Sequence, residues 1–230
     1  RKSLDIISST VGREMTPPVE ARPRVLFNPD MRTPNFMVPG LVGIVMQVVT
    51  LFLTAFAIVR EKENGTLEQL MVTPVSRLGL MLGKLIPHGI VGIVETISAL
   101  LLMRFLFQVP ISGSIWLLAG ASLIFLFTVL GMGLLISTLA SNQIQALQFA
   151  VVIMLPSILL SGFVFPRESM PLPIYYIGQL IPATYFIEIL RGVILRGAGL
   201  AELWRQVIYL TGMGLLVLLI STRRFRKTLG

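Results

Sequence analysis

Apolar and polar positions fall into blocks along this chain. Residues 41–59 run without a charge, and comparable apolar runs occupy 85–107, 115–139, 146–165 and 204–222. A helix rises about 1.5 Å per residue, so roughly 20 apolar residues cross about 30 Å of hydrocarbon. The blocks therefore predict five transmembrane helices in an all-α integral membrane protein.

The interruptions are as informative as the runs. Pro39-Gly40 stands at the start of the first run, and His88, Glu95 and Arg104 lie in the second. The third is long enough to tilt. Pro156 sits inside the fourth, where it removes a helical hydrogen bond and kinks the span. The stretch 166–202 is apolar but broken by Pro166, Pro171, Pro173 and Pro182. It reads as short helices re-entering one leaflet, with a further crossing as the alternative, because Pro182 leaves pieces too short to span.

Composition agrees. The chain is 54% hydrophobic and 13% charged, with a mean hydropathy of +0.84; a soluble domain carries about a quarter charged residues. With no cysteine among 230 residues, disulfides, thiol nucleophiles and thiolate metal sites are excluded. The net charge of +8 sits at the borders of apolar blocks and in the tail Arg223-Arg224-Phe225-Arg226-Lys227. This pattern points to membrane surfaces and not to nucleic acid. Residues 1–37 are polar, contain proline and show no apolar signal-peptide core. The density of Lys and Arg places the 60–84 loop and the tail on the cytoplasmic side.

After the first run comes "REKENGTLEQLMVTP", residues 60–74. Thr66 and Gln69 are spaced for a capping box. Leu67, Leu70 and Met71 share one helix face, and Pro74 ends the element. The result is a helix over 61–73, too short to be stable alone. It either rests on lipid headgroups and its own spans or docks on a soluble partner, with the charges at 60–63 setting register.

Other constellations carry less. "GLMLGKL" (79–85) has three residues between its glycines where a phosphate loop has four, and Leu85 stands where that loop needs Ser or Thr. Lys84 therefore reads as an interfacial anchor, and any ATPase belongs on a separate chain. His88 and Glu95 are seven apart on one helix face. They read as an interhelical hydrogen bond or as a proton or substrate contact at a subunit interface. No third ligand or nucleophile is spaced for metal or catalytic chemistry. Gln143, Gln145 and Gln148 read as a solvated turn or as pathway lining.

The motifs together resemble one family. "REKENGTLEQLMVTPVSRLGLMLGKLIPHGIVG" is similar to the segment after the second span in the membrane subunit of ABC-2 type ABC exporters, multidrug efflux systems among them. Arg60, Glu61, Lys62, Glu63, Gly65, Thr66, Leu67, Glu68, Leu70, Pro74, Gly83, Lys84 and Pro87 match its pattern. "FQVPISGS", "ISTLASNQIQALQ", "LPSILLSGFVFPRESMP", "IPATYFIEILRGVILRGAG" and the "RRFRKTL" tail follow in the same order, so the resemblance covers 38–230.

The resemblance implies a six-span permease in the bacterial inner membrane, of which this chain carries five spans. Residues 1–37 correspond to the end of the extracytoplasmic region. The 61–73 element corresponds to the coupling helix, with Arg60 to Glu63, Gly65 to Glu68, Leu70 and Met71 as ATPase-coupling residues. The 166–202 region corresponds to re-entrant outer helices. It further implies a homo- or heterodimer of permease subunits with separate ATPase subunits that hold ATP and Mg, no cofactor on this chain, and export as the function. The fourth span then borders the exit route, so Ser161, Gly162 and Phe163 are gate candidates, with His88, Glu95 and Gln145 as further pathway candidates. Two other functions compete: an ion-coupled carrier cycling protons on Glu95, and an intramembrane enzyme using His88 and Glu95.

Overall fold

The computed structural model describes residues 33–65 and 77–224. Those residues form α1 (Thr33–Glu63), α2 (Arg77–Phe105), α3 (Ile115–Leu139), α4 (Gln143–Leu160), a 3₁₀ turn (Arg167–Ser169), α5 (Leu172–Gly178), α6 (Pro182–Arg196) and α7 (Leu200–Arg224). No strand occurs among them. Five helices, α1, α2, α3, α4 and α7, are long and apolar enough to cross a membrane.

The helices exceed the apolar runs, since helical backbone satisfies itself and continues into water. α1 begins at Thr33, ahead of the apolar run, and Pro39 lies within the helix. At its other end α1 continues through Glu63. The fourth span stops at Leu160, short of 165, because Gly162 takes a left-handed φ of 87° that ends the helix. Ser114 caps α3 by accepting from the Leu117 N–H. Asn142 caps α4 by accepting from the Gln145 N–H at 2.8 Å, and Gln145 Oε1 accepts from the Ser141 N–H at 2.8 Å. This reciprocal pair works as a capping box does.

Helices α1 and α3 form the interior of the bundle, whereas α2, α4 and α7 turn most of their surface outward. Lipid tails are as apolar as leucine, so close packing and polar contacts must hold membrane helices together. Small residues supply the closeness. A Cβ at Gly133 of α3 would lie 2.7 Å from Thr54 Cβ on α1, and one at Gly214 of α7 would lie 2.5 Å from Thr128 Oγ1 on α3. Phe125 of α3 stacks on Phe186 of α6 at 4.1 Å between ring centroids.

Helices α5 and α6 meet at 88°. α5 packs by the end of α4, where a Cβ at Gly178 would lie 2.7 Å from the Leu160 carbonyl oxygen. α6 returns to the start of α3, where the Ser112 N–H donates to the Ile194 carbonyl at 3.1 Å. The pair thus leaves from and comes back to one end of the bundle. Phe186, Ile187, Leu190 and Val193 are fully buried, so protein covers the short helix at depth. Gly197, at φ 66°, closes α6.

Candidate functional site

The last turn of α1 makes polar contacts with three other helices. Successive residues of a helix point about 100° apart, so Glu61, Lys62 and Glu63 fan out, and each meets a different helix. Glu61 pairs with Lys84 of α2. Lys62 Nζ donates to the carbonyl of Ala140, the C-cap of α3, at 2.9 Å. Glu63 Oε1 accepts from the Gln143 backbone N–H at 2.9 Å, and its other oxygen accepts from the Gln143 side-chain amide. Gln143 is the first residue of α4.

The signs suit the helix dipoles. A cation sits on the carbonyl end of α3 and a carboxylate on the amide end of α4. Exposed pairs add little stability. What the contacts provide is position: one helical turn holds the end of α3, the start of α4 and a point about two turns inside α2.

Beyond that turn the Gly65 N–H returns to the Lys62 carbonyl at 3.2 Å, and Gly65 adopts φ 69°. A left-handed glycine ends a helix. Glu61–Glu63 are therefore the end of the spanning helix and not the start of a separate element. Thr66, Leu67, Glu68, Leu70 and Met71 lie outside the described residues.

A second polar group lies deeper. Gln47, Thr50 and Thr54 of α1 are buried among apolar side chains. Gln47 donates to Ser157 Oγ of α4 at 2.8 Å, and Thr50 donates to Glu95 of α2 at 2.9 Å. Glu95 is thus bound to α1. The His88 ring contacts the Lys84 carbonyl one turn back at 2.8 Å. The two residues share a helix face but bond to different partners. Gln145 serves the α4 cap. With Gln145 at the start of α4 and Ser161 just after its end, about 24 Å of helix separates the two.

The third group is the turn after α4. Arg191 of α6 donates to the carbonyls of Gly162 at 2.8 Å and Phe163 at 3.3 Å, and its guanidinium lies 3.8 Å from the Phe36 ring centroid. Phe163 packs on Gly40, where a Cβ would be 2.7 Å from its ring. Arg167 pairs with Glu188 and lies over the Tyr175 ring at 4.5 Å. Ser161, Gly162, Arg167, Glu188 and Arg191 border a cavity of about 360 Å³. Ser161, Gly162 and Phe163 therefore sit together at a fastened turn. The sequence reading missed Arg191, Gln47, Thr50 and Ser157. The recurrence of Gln47, Thr50 and Thr54 on one face of an apolar helix was the available signal.

Such a bundle, with five apolar crossings, a bent helix pair returning to one end and polar fastenings at both ends, defines a multi-pass α-helical membrane protein. The family model described as "ABC-2 family transporter protein" matches residues 6–223, and the chain belongs to that family as an ABC-2 permease of the inner membrane. Over 187 residues it is 41% identical to the "Probable multidrug ABC transporter permease YbhS" of Escherichia coli (strain K12), covering 81% of this chain and 50% of that protein. It is 33% identical over 217 residues to the "Inner membrane transport permease YhhJ" of the same strain, covering 93% of this chain and 58% of that protein. It is also 28% identical over 208 residues to "ABC transporter G family member 20" of Dictyostelium discoideum, covering 90% of this chain and 28% of that protein. The chain thus spans about half the length of the bacterial relatives.

Proposed function

We propose that the chain is the membrane-embedded part of a permease subunit that exports its cargo across the inner membrane with energy from a separate ATPase. The observation that carries this reading is the junction at Glu61, Lys62 and Glu63. A spanning helix ends there in three contacts to three other helices, immediately before the segment that resembles a coupling helix. A force applied to 66–73 enters the bundle through that turn.

In this reading the end bearing Glu63 faces the cytoplasm. The Leu67, Leu70 and Met71 face enters a groove of the ATPase, which alone holds ATP and Mg. Movement of two ATPase subunits is passed to two permease subunits, and the turn at Ser161–Phe163 borders the exit. The names of the bacterial relatives support a small-molecule efflux cargo.

The test replaces Leu67 and Leu70 with Asp in the full-length permease. Co-purification of the ATPase should be lost while the permease still inserts in the membrane. Unchanged association would overturn the docking role.

A further inference from the structure

We infer that Gln143 is a positioning residue for energy coupling, and that the α3–α4 turn (140–143) is a second arm through which the end of α1 drives the bundle. The inference rests on the functional reading above, and goes beyond it by naming a coupling element outside the 61–73 segment.

The argument begins with what a single helix end can move. Were α1 attached to its neighbours only by apolar packing, a push on its last turn would be absorbed by sliding, because packed apolar faces carry no directional bonds. The observed contacts are directional. Glu63 holds Gln143 by both carboxylate oxygens, one to the backbone N–H and one to the side-chain amide. Two bonds from one planar group fix orientation as well as distance. One residue earlier, Lys62 holds the Ala140 carbonyl. Residues 140 and 143 bracket the whole connection between α3 and α4.

The turn is also stiff. Asn142 and Gln145 close it by reciprocal bonds of 2.8 Å, Gln145 Oε1 accepting from the Ser141 N–H. The Ala140 N–H remains bound to Ile136 at 2.8 Å, continuing α3 into the turn. Glu63 therefore grips a braced corner and not a loose loop. Displacement of α1 at this end carries the start of α4 with it, and α4 ends at Leu160, next to Ser161, Gly162 and Phe163. Gln143 needs no contact with the ATPase to serve this role.

The experiment uses the full-length permease assembled with its ATPase. A cysteine at exposed Phe165 reports on the far turn, any cysteine elsewhere in the full-length permease and the ATPase first being replaced by serine. The readout is its rate of reaction with a water-soluble maleimide, with and without ATP plus vanadate. Gln143→Glu sets one carboxylate against another. It should shrink the nucleotide-dependent change in rate at least about fivefold, the scale of a modest coupling energy, while the ATPase still co-purifies. Adding Glu63→Lys to Gln143→Glu restores an attractive pair and should recover the change. A merely structural role would not follow charge pairing in this way. A full nucleotide response in Gln143→Glu would overturn the inference, as would failure of the charge-swapped pair to recover. Loss of ATPase binding in Gln143→Glu would also overturn it, by making Gln143 part of the docking surface. An unaltered permease that binds no ATPase would sink the functional reading itself, and this inference with it.

Discussion

Gln47 and Ser157 share a 2.8 Å hydrogen bond between α1 and α4, with both residues almost completely buried and 110 positions apart in sequence. Ser157 also donates to the Ile153 carbonyl at 2.8 Å, so its hydroxyl accepts from Gln47 while serving its own helix. Removing the hydroxyl strands a buried amide, which costs about 1–3 kcal/mol. In a bilayer the pairwise part is smaller, about 0.6 kcal/mol on average. Ser157→Ala should therefore lower thermal stability in detergent by a few degrees. In a cycle with Gln47→Leu, the double variant should lose less than the sum of the two.

The α1–α3 contact gives a steric prediction. A side chain at Gly133 meets Thr54 Cβ at 2.7 Å and the Leu51 carbonyl at 3.2 Å, both on the interior helix α1. Gly133→Val should cost about 1–3 kcal/mol through overpacking, read as a drop in unfolding temperature. Thr54→Gly in the same chain removes the nearer obstacle and should recover part of the loss. Full stability in Gly133→Val alone would show that the helices do not approach this closely.

Arg191 ties the turn after α4 to α6 by two carbonyls. Its planar fork spans both acceptors, which a lysine ammonium cannot match. In Arg191→Lys, amide hydrogen exchange over 161–166 should quicken about tenfold, while exchange in the middle of α3 stays unchanged. Equal protection in both proteins would mean that packing of Phe163 on Gly40 holds the turn alone.

The Glu63–Gln143 contact is also checked by proximity. Cysteines at the two positions in the full-length permease should be bridged by a short bifunctional thiol reagent. A pair at 63 and 152 should not, because Val152 lies nine residues, about 13 Å, further along α4. Equal bridging of both pairs would contradict the arrangement.

How far the sequence revealed this arrangement depended on the physics involved. Spanning helices were legible because burial in lipid demands long apolar runs, and 115–139 matched α3 to the residue. Ends were misplaced where polar residues continue a helix into water, as at Glu61–Glu63, or where a glycine stops it early, as at Gly162. The charges at 60–63 were legible as important, whereas their partners Lys84, Ala140 and Gln143 were not. Those pairings join residues up to 80 positions apart, and nothing in local periodicity encodes which distant helix end meets which side chain. Gln143 and Gln145 looked alike in sequence; only geometry separates a residue that grips α1 from one that caps its own helix.

One member of the bundle touches both sets of fastenings. α1 is 31 residues long, about 46 Å of continuous helix. At one extremity it presents Phe36 to Arg191 and Gly40 to Phe163, and at the other it holds Gln143. The two sides of the membrane are therefore spanned by a single rod, with Pro34 in its first turn and Pro39 further in. A displacement of that rod along its axis therefore moves its contacts at both surfaces together, Gly40 against Phe163 and Glu63 with Gln143.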